Sequence, residues 1–397
     1  MHLATGHDDL PQGHFNPALA LYPLAHLAVE LYSSMLSIMW PLFAVRFGLT
    51  YGAIGALNMV FRGSMTLPQI GFAPVADRYG PRLLAIAGLL VMAVGMSLVG
   101  LAPSVAVLAA ILAVAPLGSA AFHPAGTSHM SRVLARRRGT AVALFMVGGT
   151  VGSSLGPVVG AWLYTRHGVA ASLWLLPVGL AVALPMLLFI PAAVRGATQR
   201  TAAARPASRV PGAIVLLMAA CVFQAWLENS LVSYLPLLYT ERDLPLAAAS
   251  QVLFIFSAMG AGGVMVGGML SDRLPRWRIV VFAQVLSVPL FVGTLLLGGP
   301  WALLAPAGLG FVSALSHPVT VAIGQELMPD RVSLASALTM GMSWVIGSLG
   351  VTLTGFLADR LGMQPALLMV AVVPLVGMAC MLILRWRTPR PAPAAQA

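Results

Sequence analysis

Six ionisable side chains stand inside otherwise apolar stretches of the chain: His26, Glu30, Arg62, His123, Glu228 and His317. In hydrocarbon a charged group costs at least ~2.5–3.5 kcal/mol, so each of these needs a partner or a task. His26 and Glu30 are four residues apart and share one face of a helix, one turn above the other. A carboxylate beside an imidazole in a partly dehydrated space can take up and release a proton, because small environmental changes move histidine across neutral pH. The same spacing also suits a fixed structural hydrogen bond. Arg62 either neutralises Glu30 or Glu228, or binds an anionic substrate. His123 precedes Pro124 and His317 precedes Pro318. Each imidazole therefore faces a substrate or bonds a carbonyl freed by the proline kink. With Arg62 and Glu228, these histidines make up the candidate substrate cavity. No cofactor and no metal site is expected. Cys221 and Cys380 lie in apolar stretches as small buried hydrophobes, and His2, His7 and His14 fall in a polar tail.

The elements that must position these groups follow from composition. Of 397 residues, 59% are hydrophobic and 8% charged, against roughly 25% charged in soluble chains. Such a chain has lipid as its solvent. A helix needs about 20 largely apolar residues to cross the hydrocarbon core. Spans are expected near 18–45, 51–75, 82–101, 104–131, 139–164, 169–190, 212–239, 247–272, 278–297, 300–327, 333–360 and 365–386. The fold class is all-α, with twelve transmembrane helices in two six-helix bundles, 18–190 and 212–386. Residues 1–17 form an N-terminal tail, 191–211 a linker rich in Ala, Pro and Arg, and 387–397 a C-terminal tail.

The net charge of +11 is carried by arginine, for the chain has no lysine. The arginines cluster in short runs between apolar segments, which is a topology signal and not a nucleic-acid-binding face. Of the 22, seventeen fall on the side of the two termini. Arg46, Arg166, Arg242 and Arg360 lie on the other, and Arg62 lies within a span. By the positive-inside rule both termini are cytoplasmic in an inner, plasma membrane.

An internal repeat divides the chain at the linker. Asp77-Arg78 and Asp272-Arg273 end the second and eighth spans, 195 residues apart. His123-Pro124 and His317-Pro318 sit in the fourth and tenth, 194 apart. His26 precedes Glu30 as Gln224 precedes Glu228, at an offset of 198. Two such halves imply a cavity where they meet. An Asp at a helix end can accept from a facing helix N-terminus or pair with arginine, and such contacts can break when halves rock. Asp77, Arg78, Asp272 and Arg273 are therefore candidate gating residues. In the fifth span Gly152, Gly156 and Gly160 recur four apart around Pro157, a pattern that permits close helix approach.

Taken together these motifs resemble the major facilitator superfamily over essentially the whole chain. Ala73 to Arg82 and Gly268 to Arg273 are similar to its Gly-x-x-x-Asp-Arg-x-Gly gating motif, with Ala73 and Pro275 where glycines are usual. Gly152 to Ala161 resembles the pattern associated with its antiporters. A narrower resemblance, to the fosmidomycin resistance protein family, rests on several segments. They are His26–Glu30 with Trp40-Pro41-Leu42, Ala121–Pro124, Phe145–Pro157 and Gln325–Arg331. Ala125 and Glu30 are departures from it.

The resemblance implies a monomeric secondary transporter. Its expected partners are a small-molecule substrate, protons and the bilayer, with no nucleic acid. Export by proton antiport is the first expectation, with His26 and Glu30 as the proton site. Uptake of a small organic anion and lipid or lysolipid flipping are the alternatives. No Walker motif, HExxH or Ser-His-Asp set suggests an enzyme.

Overall fold

The computed structural model describes residues 16–133, 138–191, 212–299 and 301–387, with the backbone alone at 73, 74, 77–79, 138, 139, 332 and 333. The expected tails and linker lie mostly outside the described residues. The described chain is helical throughout, in twelve successive spans. The first half comprises α1 (Ala18–Phe47), α2 (Tyr51–Thr66) with α3 (Gln69–Tyr79), α4 (Pro81–Leu98), α5 (Val105–Val133), α6 (Arg138–His167), and a 3-10 stretch leading into α7 (Leu176–Phe189). The second half comprises α8 (Gly212–Glu241), α9 (Leu246–Ser271), α10 (Arg276–Leu296) and α11 (Trp301–Leu327). It ends with α12 (Val332–Ser336) running into α13 (Ser343–Leu361), then α14 (Met363–Val370) with α15 (Val373–Arg387).

Eleven of these spans are long and apolar enough to cross a membrane unbroken. The twelfth, 51–79, is interrupted. Pro68 has no N–H to donate and its ring crowds the carbonyl one turn back, so α2 stops at Thr66 and α3 restarts at Gln69. The eleventh span departs from the continuous helix expected of it in another way. Residues 337–342 widen to a π-helical turn, with Ser343 Oγ donating to the Leu338 carbonyl at 2.9 Å.

The repeat is visible in the packing. The first helix of each half lies on the fifth (α1 on α6, α8 on α13), and the third on the fourth (α4 on α5, α10 on α11). The halves meet through α2 against α13 and α6 against α9, two contacts exchanged by the same pseudo-symmetry. Helix α1 is central: 72% of its apolar window is buried, against 28% for the sixth and eighth spans. Polar groups of α1 are thereby held away from lipid.

Candidate transport site

Glu30 faces a partner that its own helix does not supply. Its Oε1 lies 3.1 Å from His123 Nε2 on α5 and 3.9 Å from His26 Nε2. The expected His26–Glu30 pair is thus a triad, and His123, expected to face substrate, is its centre. His26 Nε2 and His123 Nε2 are 3.2 Å apart. The rings are oriented from behind: His26 Nδ1 donates to the Phe145 carbonyl at 2.8 Å, and His123 Nδ1 to the Ser119 carbonyl at 2.8 Å. A carbonyl accepts only, so each Nδ1 carries the hydrogen and each neutral ring turns a lone pair toward the other. Two lone pairs and a carboxylate converge, and the network is satisfied when a proton sits among them. His123 Nε2 is its natural position, because from there it bonds both Glu30 and His26. Phe145 stacks on His26 with ring centroids 4.1 Å apart, and Phe122 lies 5.9 Å away, so His26 is buried.

Glu30 also lines a cavity of about 260 Å³ between the halves. Serines 33, 34, 37, 153, 233 and 257 and Asn58 give it a polar wall, and Trp40, Phe61, Phe256 and Trp344 an apolar one. Glu30 and Arg62 are the charged residues of its lining. Arg62 Nε and Asn58 Nδ2 are buried without a hydrogen-bond partner. They stand one turn apart on α2, and both residues belong to the lining of the central cavity.

The second half repeats the pairing. Glu228 Oε1 lies 3.2 Å from His317 Nε2 and accepts from Gln224 Nε2 at 3.1 Å. His317 lines a smaller cavity of about 110 Å³ with Gln224, Gln284 and Thr320, and its ring meets Trp344 edge-on at 5.8 Å. Trp344 walls both cavities. Of the four residues expected to contact substrate, Arg62 therefore lines the central cavity and His317 the smaller one. His123 and Glu228 are bound into carboxylate–imidazole pairs.

The glycines of the fifth span lie against α1. A Cβ at Gly152 would run into the Leu27 carbonyl, and one at Gly156 into Ser34 Oγ. At neighbouring Gly149 it would enter the His26 ring. Gly160 is less constrained, for a Cβ there meets Met35 at an ordinary 3.5 Å. Pro157 reaches the central cavity wall.

The contacts that join the halves were not anticipated. Asp359, near the end of α13, accepts from the backbone N–H of Tyr51 at 2.7 Å and of Gly52 at 2.9 Å, capping α2. Tyr234 Oη donates to the carbonyls of Tyr51 at 3.0 Å and Val351 at 2.8 Å, and the Tyr51 hydroxyl donates to Glu241. All lie at the end distal to the termini. The signal was present: Gly355 to Gly362 spells Gly-x-x-x-Asp-Arg-x-Gly, a third copy of the gating pattern on the opposite face. Of the expected gating residues, the side chains of Asp77 and Arg78 lie outside the described residues. Asp272 forms the C-terminal end of α9, followed by Arg273, and nearby Arg276 pairs with Glu326.

Residues 24–350 match the model of the Major Facilitator Superfamily. The chain is 27% identical to the fosmidomycin resistance protein of Escherichia coli (strain K12) over 377 residues, covering 91% of each chain. It is 29% identical to a chloramphenicol resistance protein of Streptomyces lividans, over 84% of this chain and 86% of that one. In fold it is similar to a bacterial homologue of the human lysosomal transporter Spinster, solved in an inward-facing and occupied conformation. The TM-score there is 0.81 at 16% identity, over 95% of this chain and 98% of that one. The family match together with eleven long apolar helices among the described residues makes this a multi-pass membrane protein, a transporter and not an enzyme. The chain belongs to the Major Facilitator Superfamily, as a transporter with efflux and resistance proteins among its relatives.

Proposed function

We propose that the protein is a proton-coupled antiporter of the inner membrane, with both termini cytoplasmic, exporting a small molecule by alternating access. One observation carries the reading: Glu30 belongs at once to the histidine–carboxylate triad and to the central cavity. A proton arriving at Glu30 and His123 changes the charge facing the substrate next to Arg62. Binding of one is thereby coupled to release of the other, and a reciprocal coupling of this kind is what exchange requires. The resistance relatives favour export, as do the glycines that seat α6 on α1. Fosmidomycin and chloramphenicol are the first probes to use.

The test is uptake of these probes into inverted vesicles under an imposed pH gradient. Wild type is expected to accumulate at least one of them, and Glu30→Gln to lose that accumulation. Transport by Glu30→Gln at the wild-type rate, still dependent on pH, would remove the proton role. A second reading, proton-coupled uptake of a small organic anion, is favoured by the unpartnered donors of Arg62 and Asn58. Counterflow with the gradient reversed separates it from export.

A further inference from the structure

The triad has the donor set, spacing and backing of a transition-metal site. We propose that His26, Glu30 and His123 bind one divalent ion of borderline softness, of the Zn²⁺, Co²⁺ or Ni²⁺ class. The inference rests on the reading of this cluster as a cation site and extends it to a second kind of cation.

The donor atoms are separated by 3.1, 3.2 and 3.9 Å and all lie within 4.8 Å of one another. Two ligands at ~2.0–2.1 Å from a tetrahedral ion stand ~3.3 Å apart. The two shorter edges are near that value, and a small rotation of the carboxylate closes the third. Both imidazoles offer Nε2 and anchor Nδ1–H on a backbone carbonyl, Phe145 for His26 and Ser119 for His123. This outer-shell arrangement fixes tautomer and ring plane in metal-ligating histidines. The lone pairs that face each other are an unfavourable arrangement for neutral rings, and a metal ion relieves it as a proton does. Two imidazoles and one carboxylate select a Zn-like ion over Mg²⁺ or Ca²⁺, which take oxygen ligands. Glu30 lines the central cavity, which leaves the cluster open on one side for a further ligand.

The charged groups around the site are Glu30 on α1 and Arg62 on α2, with His26 on α1 and His123 on α5 as the titrating partners. From α6 the site is faced by the Phe145 carbonyl and ring. Arg62 opposes the added charge, and Arg62→Gln tightens metal binding.

The experiment is a Co²⁺ titration of the untagged full chain in detergent, with His2, His7 and His14 each changed to Asn to silence the tail. One equivalent of Co²⁺ is expected to give the intense visible bands of a four-coordinate ion, and Zn²⁺ to abolish them. His26→Asn and His123→Asn should each weaken binding by at least ~100-fold, while His129→Asn, one helix turn or more away, leaves it unchanged. Wild type showing only weak six-coordinate bands overturns the proposal without reference to any variant. So do intense bands that survive in the His26→Asn, His123→Asn double variant. Metal-free transport separates the two readings. A chain that is gradient-driven but forms no such bands refutes the metal site alone. A chain with the bands but gradient-independent transport refutes the proton role alone.

Discussion

The two halves hold a carboxylate from their first helix against a histidine from their fourth, at 3.1 Å for Glu30–His123 and 3.2 Å for Glu228–His317. They differ in what surrounds the pair. In the first half the third member is His26, which adds a second lone pair. In the second it is Gln224, whose N–H already satisfies the carboxylate. The 195-residue offset of the Asp-Arg pairs carries Asn58, Phe61 and Arg62 onto Leu253, Phe256 and Ser257, and all six line the central cavity. Phenylalanine is kept, while the arginine and asparagine of the first half become serine and leucine. Duplication thus supplied one architecture twice, and the halves have diverged: both contribute to the apolar wall of the central cavity, but its charged residues, Glu30 and Arg62, come from the first alone.

Substitutions that erase this difference test it. The largest effect is expected for Glu30→Gln, because removing one partner of a buried charged pair costs ~3–5 kcal/mol. Gradient-driven transport in inverted vesicles should fall to the passive level, whereas Glu228→Gln should lose only several-fold and stay pH-dependent. Equal collapse of both would make the halves functionally alike. Next is Arg62→Ser, which copies the second half. A hydrogen bond to a charged group is worth ~1.5–3 kcal/mol, so KM for an acidic probe such as fosmidomycin should rise roughly 10- to 100-fold. A neutral probe should be affected much less. His26→Gln copies Gln224 and removes one of the opposed lone pairs. A partial loss of pH dependence is expected, smaller than for Glu30→Gln, read from transport rate against external pH. Asp359→Asn removes the negative charge at the N-terminus of α2, worth ~0.3–1 kcal/mol, and should raise the labelling of a cysteine placed in the central cavity from the side distal to the termini. The smallest contrast lies in α6. Gly149→Ala, which crowds His26, should lower thermal stability in detergent, while Gly160→Ala stays within ~0.5 kcal/mol of wild type.

Helix number, the two halves and the identity of the charged residues were legible in the sequence, because hydropathy and arginine placement act residue by residue. The repeat was legible through His-Pro and Asp-Arg landmarks that survive divergence. The pairing of Glu30 with His123 was not, since those residues are 93 positions apart in sequence and their meeting depends on the rotation of α1 against α5. The i,i+4 relation to His26 is correct as a helix-face statement, but the cross-helix contact is closer. Pro68 marked its own break, whereas the π-helical turn at 337–342 carries no proline and follows from packing against neighbours. The third gating pattern, Gly355 to Gly362, is readable in the sequence, but the backbone N–H groups of Tyr51 and Gly52 that Asp359 caps lie 308 and 307 positions away.

In the proposed mechanism a proton resides on the triad, shared from His123 Nε2. Nitrogen-15 NMR of histidine-labelled full chain at pH 7.5, with the ring assigned by His123→Asn, reads this without any substrate. The account predicts His123 protonated on both nitrogens in wild type and singly protonated in Glu30→Gln. A wild-type His123 carrying hydrogen on Nδ1 alone at that pH would contradict it.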